Sequence, residues 1–384
     1  MNATRAVKLW AGAHKWSSLL STLFLLVLCL TGLPLVFSDE IRDWSTPAPL
    51  GAASDRAAPR QTLDALVRAE REPGVKRFVQ FVFWTEGDAE HVGLGVGKVA
   101  DAPLDDISRL LVDARTGQVS SETPPESGLM PTLLEIHRNL CAGSFGTVLL
   151  GVVALAFVVS TVSGIVIYGP YMGRLSFGTV RGHARKLKWL DLHNLVGIAT
   201  AVWALVVGAA GLVNTLETPL FGAWQADQLP QLLATHENDA PLSNPSSLDA
   251  AVATARAALP GMQPASIALP GTRYATPRHY LIWMHGTRTL TKRLFTPVLV
   301  DAATGELAQA APLPWYLRVL EVSRPLHFGD YGGMPLKLLW AAFDLLLIGL
   351  LGSGLYLWAV KWRAFAKVSG RSAAAIKGTS HAIQ

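Results

Sequence analysis

The sequence predicts a membrane α-helical protein, with four transmembrane helices in two parallel repeats and two α+β domains outside the membrane. Three observations predict it. Four runs, roughly 15 to 38, 147 to 169, 194 to 216 and 336 to 360, are apolar over the ~20 residues that a hydrocarbon core requires. Four histidines stand at matched distances from glycines inside those runs. The two long connections, 39 to 143 and 218 to 332, carry the same helix, strand and turn signatures in the same order.

The first run follows Arg5, Lys8 and Lys15, as a secretory signal would, but Thr31-Gly32-Leu33-Pro34-Leu35 leads into no A-x-A-like cleavage site. It is read as a retained helix. Half the residues are hydrophobic and 16% are charged, and the charge is unevenly placed. Residues 1 to 15, 171 to 189 and 361 to 384 hold 13 Lys or Arg and no Asp or Glu, which makes them cytoplasmic by the positive-inside rule. The long connections hold 19 basic against 25 acidic residues and fall outside. The formal charge of +5 is then a sum over two compartments and gives no argument for nucleic acid. Cys29 and Cys141 are too few and too far apart in this topology for a disulfide framework.

These boundaries divide the chain in order. Residues 1–38 form a cytoplasmic N-terminus and first span, 39–130 an outer domain, and 131–170 an interfacial element and second span. A basic cytoplasmic loop, 171–189, leads to the third span at 190–217. A second outer domain covers 218–318, an interfacial element and fourth span 319–362, and a cytoplasmic tail 363–384. Both termini lie in the cytoplasm.

A connection of about 100 residues is too long to lack structure of its own. Thr62-Leu63-Asp64-Ala65 opens a helix, with Thr62 as N-cap, that ends near Pro73-Gly74; Ser247-Leu248-Asp249-Ala250 opens another that ends at Pro260-Gly261. Strand-like runs follow at Arg77 to Thr85 and His279 to His285. Leu111-Val112-Asp113-Ala114-Arg115-Thr116-Gly117 then matches Leu299-Val300-Asp301-Ala302-Ala303-Thr304-Gly305, a strand entering a tight turn in which Gly supplies positive φ.

The histidines carry the chemistry. His14 lies 18 residues before Gly32 and His193 lies 18 before Gly211; His137 and His327 each lie 26 and 27 residues before a Ser-Gly pair, Ser163-Gly164 and Ser353-Gly354. Parallel repeats set equivalent residues opposite one another, so His14 should face His193 near the cytoplasmic surface and His137 should face His327 near the outer one. Imidazoles from different membrane helices are the usual axial ligands of b-type haem, which points to a transmembrane electron carrier. Leu19, Leu20, Leu195, Val196 and Ile198 supply apolar walls beside the first pair. A straight helix from His137 to Gly164 would span roughly 40 Å at about 1.5 Å per residue, lifting the imidazole clear of the bilayer core. Gly143-Ser144-Phe145-Gly146 and Gly329-Asp330-Tyr331-Gly332-Gly333 interrupt the two copies, so each of these histidines should stand on a short element bent away from its span.

Other residues are weaker candidates. Asp344, deep in the fourth run, suits a proton path or cofactor contact, or polar glue with Asn214 or Thr161. Lys15 and Lys188 suit haem propionates or plain snorkelling. His279 and His285 share a strand face but make a poor metal site without a further ligand. His91, His183, His236 and His381 have no matched context and read as solvated. Trp10, Trp16, Trp189, Trp358 and Trp362 form an inner aromatic belt, and Trp84, Trp224, Trp283 and Trp315 fall in the outer domains, mostly as core. Gly93-Leu94-Gly95-Val96-Gly97 superficially resembles a nucleotide loop but opens no helix in a βαβ unit. No cytoplasmic segment is long enough for a flavin or nicotinamide, so electrons must come from a separate protein or a quinol.

The Asp-x-x-Thr-Gly turn after a helix and strands resembles the PepSY domain. Combined with four histidine-marked helices, it resembles the PepSY-associated transmembrane family of iron-regulated membrane proteins, most closely its FoxB-type siderophore reductases, over nearly the whole chain. The resemblance implies PepSY-like periplasmic domains and a bacterial inner-membrane protein holding two haem b groups. It implies His14, His193, His137 and His327 as ligands, and electrons passed outward to reduce ferric siderophores in the periplasm. Two other readings are a non-enzymatic PepSY binding or regulatory protein, since PepSY domains also resemble peptidase-inhibitory segments, and a haem or siderophore permease.

Overall fold

The computed structural model describes residues 3–45, 59–70, 77–85, 88–123, 128–182, 184–233, 242, 244–288, 291–310 and 312–380. In chain order the helices are α1 (Ala3–Leu35), α2 (Ser38–Ser45), α3 (Leu63–Ala69), α4 (Leu129–Asn139), α5 (Gly143–Met172), α6 (Arg185–Asn214), α7 (Glu217–Leu233), α8 (Leu248–Ala258), α9 (Trp315–Phe328) and α10 (Gly333–Ser380). The strands are β1 (Phe78–Phe83), β2 (His91–Gly97), β3 (Ser108–Asp113), β4 (Val119–Thr123), β5 (Met262–Ala268), β6 (His279–Gly286), β7 (Phe295–Asp301) and β8 (Leu307–Ala310). They divide into a helical unit, 1–37, 133–215 and 326–384, and a sheet unit, 38–132 and 216–325.

In the helical unit, α1, α5, α6 and the part of α10 up to Arg363 are long and apolar enough to cross a membrane. Helices satisfy their backbone polar groups internally, as hydrocarbon demands. Here α1 packs on α5, α5 on α6 and α6 on α10, and α10 returns to α1. Leu25, Val153, Phe157, Leu347 and Leu351 fill the centre, where the Trp203 ring stacks on Phe343 with centroids 5.7 Å apart. Leu23, Phe145, Val202 and Leu338 point outward, the surface that lipid tails would cover.

The expected bends are present, the first slightly earlier than predicted. Helix α4 stops at Asn139, and Leu140 and Cys141 both take left-handed φ (57° and 56°) before α5 starts at Gly143. Between α9 and α10 the chain turns through Gly329 (φ 74°), a short 3-10 turn and Gly333 (φ 60°). Non-glycine residues reach this region against the clash of Cβ with the following carbonyl, whereas glycine does not meet that clash.

The sheet unit joins the strands of the two long connections. Its eight strands form one antiparallel sheet, ordered β4-β3-β2-β1-β5-β6-β7-β8. The join is β1 on β5, with Phe81 opposite Ala268 and Phe83 opposite Ser266. A four-stranded sheet alone would leave each of these strands as an open edge of unpaired N–H and C=O groups, and pairing the edges satisfies both. One core results, in which Leu66 and Val67 of α3 and Leu248, Ala251 and Val252 of α8 pack with Val82, Leu94, Leu110, Ile282 and Val298 of the strands.

Local signals held where they were strongest. Thr62 caps α3 by accepting from the Ala65 N–H and Ser247 caps α8 by accepting from Ala250. The Asp113 and Asp301 carboxylates each accept two backbone N–H groups of their turns, which close through Gly117 (φ 74°) and Gly305 (φ 76°). The predicted end of the first helix at Pro73-Gly74 lies outside the described residues. Strand order was read less well: His279 to His285 is β6, and β5 lies between it and α8. The glycine-rich stretch 93–97 is β2, where a Cβ at Gly93 or Gly95 would sit 2.3 or 2.4 Å from the Phe83 or Phe81 ring, so these glycines make room for aromatics.

Candidate functional site

The four matched histidines meet in two pairs within the helical unit. His14 of α1 faces His193 of α6, with ring centroids 6.4 Å apart and planes at 70°. His137 of α4 faces His327 of α9 at 6.1 Å and 65°. These are the partners that the spacing predicted.

The structure also shows why the glycines are spaced as they are. Each glycine seats an imidazole from the neighbouring helix in its own half of the chain. A Cβ added at Gly164 would lie 3.1 Å from His14 Cε1, at Gly32 3.0 Å from His137, at Gly211 3.1 Å from His327 and at Gly354 3.4 Å from His193. The spacing along one helix is therefore a record of contacts between two helices.

Every Nδ1 is engaged. The His14 Nδ1–H donates to the Ser160 carbonyl (2.8 Å) and the His327 Nδ1–H to the Val207 carbonyl (3.0 Å). His137 Nδ1 lies 3.0 Å from the Thr31 hydroxyl and His193 Nδ1 2.8 Å from the Ser353 hydroxyl. Carbonyl acceptors require a protonated Nδ1, which leaves the Nε2 lone pair of a neutral imidazole available. Two imidazoles trans on one first-row metal ion, bonded at about 2.0–2.1 Å with each centroid about 1.1 Å beyond its nitrogen, have centroids about 6.3 Å apart. The observed 6.4 and 6.1 Å leave room for one ion between the rings of each pair, and neutral imidazoles are donors that a haem iron accepts.

The remaining candidates fall differently. Asp344 meets the Cys29 thiol of α1 through a side-chain hydrogen bond, in place of the expected Asn214 or Thr161, and its Oδ2 has no hydrogen-bond partner. The Thr161 hydroxyl turns back to the Phe157 carbonyl. Lys15 and Lys188 are exposed, and the Lys15 ammonium sits 4.5 Å above the Trp16 ring. His279 is buried against the Thr276 hydroxyl, His285 packs on Phe295, and His91 pairs with Asp88. His183, His236 and His381 lie outside the described residues. Trp224 is buried against Trp283, while Trp315 is 78% exposed and belongs to no core.

Sequence reasoning missed the Arg181–Asp191 clamp beside His193. Asp191 is fully buried and receives the Arg181 backbone N–H and two guanidinium N–H groups at 2.7–2.9 Å. Its signal was visible, because Asp191 is the first acid in a stretch that otherwise carries only basic charge from Arg174 onward.

Four membrane-length helices, an antiparallel sheet unit and two facing histidine pairs define a class of membrane protein. The chain belongs to the family described as the PepSY-associated TM region, whose sequence model matches residues 11–361. A search of curated proteins finds no match.

Proposed function

We propose that this protein is a di-haem b reductase of the bacterial inner membrane. It takes electrons from a cytoplasmic donor protein or a membrane quinol, passes them to ferric siderophores in the periplasm, and releases the iron as Fe(II). The observation that carries the reading is the geometry of the two imidazole pairs, each spaced for one ion and each with Nδ1 already bonded. In this reading the chain is a parallel duplication, the basic segments 1–15, 171–189 and 361–384 are cytoplasmic, and the sheet unit is periplasmic. His14 and His193 hold the inner haem; His137 and His327 hold the outer one.

When bound, haem supplies one-electron chemistry that no side chain here provides. The protein's own part is positional. Carbonyls and hydroxyls fix each tautomer and aim Nε2, glycines admit the rings, and the apolar helices exclude water. Lys15 and Lys188 would meet the inner propionates. Ferric iron binds the hard oxygen ligands of a siderophore tightly and ferrous iron far less so, and one electron therefore loosens the metal.

The test is haem content and directionality. The intact protein should hold two haems by pyridine haemochrome assay, and His14→Ala or His193→Ala should remove one and leave the other. His327→Ala should keep the inner site reducible by its donor while abolishing reduction of an external ferric chelate. A colourless preparation, or chelate reduction that survives His327→Ala, would overturn the proposal.

A further inference from the structure

One end of α10 carries a buried cation that the chemistry above does not use. Lys337 lies seven residues into the span Asp330–Arg363 and is 7% exposed. It belongs to the buried stripe of α10, with Ala341 one turn on and Leu347 and Leu351 beyond, so its side chain is directed into the helical unit and away from lipid. A charged side chain inside a membrane segment is expensive, and it is kept where it meets an opposite charge or a functional group.

The same end of α10 packs on the helix that carries His327. Trp340, three residues after Lys337, donates from Nε1 to the Leu326 carbonyl at 3.1 Å, and its ring covers Gly329, where a Cβ would lie 2.8 Å away. Residues three apart on a helix are neighbours on one side. Lys337 therefore stands one turn nearer the α9–α10 corner than the residue that touches the end of α9, between that corner and the apolar centre around Phe343 and Leu347. In the first half the residue at the same spacing from His137 is Thr147, so α5 supplies no charge at that position.

We infer that Lys337 is a binding residue of the outer site, whose ammonium takes a carboxylate of the group held between His137 and His327. The inference rests on the haem reading above, in which that carboxylate is a propionate. Lys15 and Lys188 belong to the inner site and cannot serve the outer one. An ammonium has three N–H donors, so it can take a carboxylate oxygen while it holds a protein partner. A charge-assisted bond of this kind, shielded from water by the helices, contributes more than the same bond at a surface.

The experiment compares haem b with its dimethyl ester, whose propionates carry no charge. It uses the full-length chain carrying His14→Ala or His193→Ala, so that only the outer site is filled, and follows the release of each haem to excess apomyoglobin. With Lys337 present, haem b should leave about 10- to 100-fold more slowly than the ester, the range expected for a hydrogen bond to a charged group. Lys337→Met should abolish that preference by speeding the loss of haem b and not of the ester, and Lys337→Arg should keep it. If Lys337→Met speeds both losses equally, or if the chain with Lys337 shows no preference, the inference fails and the lysine serves protein groups only. If Lys337→Met does not fold, Lys337→Gln, which keeps a donor and loses the charge, decides by the same comparison. An intact protein without haem defeats the proposed function itself, a separate outcome.

Discussion

The two histidine pairs reach the same geometry by different local means. His14 and His193 stand inside long helices, α1 and α6, whose backbones need nothing more than an apolar run. His137 and His327 stand near the ends of short helices that break at left-handed corners, at Leu140 and Cys141 in one half and Gly329 and Gly333 in the other. The difference teaches where precision is costly. A ligand in a helix interior inherits its position from the helix, whereas one at a corner depends on residues held in a disfavoured conformation. The outer pair should therefore be the more easily disturbed.

The largest expected effect comes from filling the seats. On the proposed di-haem reading, Gly32→Leu should eject the His137 ring and empty that site, with chelate reduction falling by about 10- to 100-fold, in line with a lost ligand-orienting contact. Gly164→Leu should do the same to the inner haem through His14. Alanine sharpens the comparison. Its Cβ would meet His137 at 3.0 Å from Gly32 but His193 only at 3.4 Å from Gly354, so Gly32→Ala should lower haem occupancy and Gly354→Ala should be tolerated. Equal occupancy in the two alanine variants would break the argument.

The corners come next. A Cβ at Gly329 would sit 2.8 Å from the Trp340 ring, and φ there is 74°, so Gly329→Ala should destabilise the unit by about 1–2 kcal/mol or more. Cys141→Gly runs the other way. It relieves a non-glycine residue at φ 56° and should stabilise by up to about 1 kcal/mol, offset by the entropy glycine loses on folding. Thermal unfolding followed at the Soret band of each site would show both changes at the outer site first. A corner variant that loosens the inner site first would reverse the comparison.

Much of this arrangement was legible because its signals are local or repeated. The N-caps at Thr62 and Ser247, the turns at Gly117 and Gly305, and the four apolar spans follow from short-range rules, and the histidine pairing followed from their matched spacing. What was hidden depends on contacts between distant segments. No short-range rule shows that β1 will pair with β5, since an edge strand looks the same in sequence whether it is capped or joined. The glycines of β2 resembled a nucleotide loop only superficially, and the reason for two of them is the Phe81 and Phe83 rings of the neighbouring strand. Likewise the spacing located Gly32 and Gly211 without showing which imidazole each one seats.

A smaller effect concerns Asp344, which has no counterpart in the first half, where Ala154 stands at the equivalent position. It contacts Cys29, next to Leu28 and two residues before Thr31, the groups that hold His137, so along α1 it lies closer to His137 than to His14. If it exchanges a proton when the outer site is reduced, Asp344→Asn should flatten the pH dependence of the outer potential between about pH 6 and 8. The inner potential should not change. Superimposable titrations would leave Asp344 as polar glue between α1 and α10.

The smallest effect tests whether the two halves also differ in the sheet unit. There the helix N-termini are capped reciprocally: Asp64 accepts from the Leu248 N–H and the Ser247 hydroxyl, and Asp249 accepts from the Asp64 N–H. The exchange is unequal, because burial, with the Asp64 carboxylate beside it, pushes the Asp249 carboxyl above its ordinary value. A carboxyl whose folded pKa is raised binds its proton more tightly in the folded state. Its stabilisation is full below the unfolded value of 3.8 and declines as pH rises from there to the folded value, after which it is constant. Asp249→Asn keeps an acceptor for the helix, removes the charge, and should flatten that decline while slightly raising stability at pH 7. Chemical denaturation of the intact protein between about pH 4 and 7, followed by tryptophan fluorescence, would read it. Asp64→Asn, which gives up a charge at the α8 N-terminus, should lower stability instead. The same sign for both substitutions would mean that the two caps are equivalent after all.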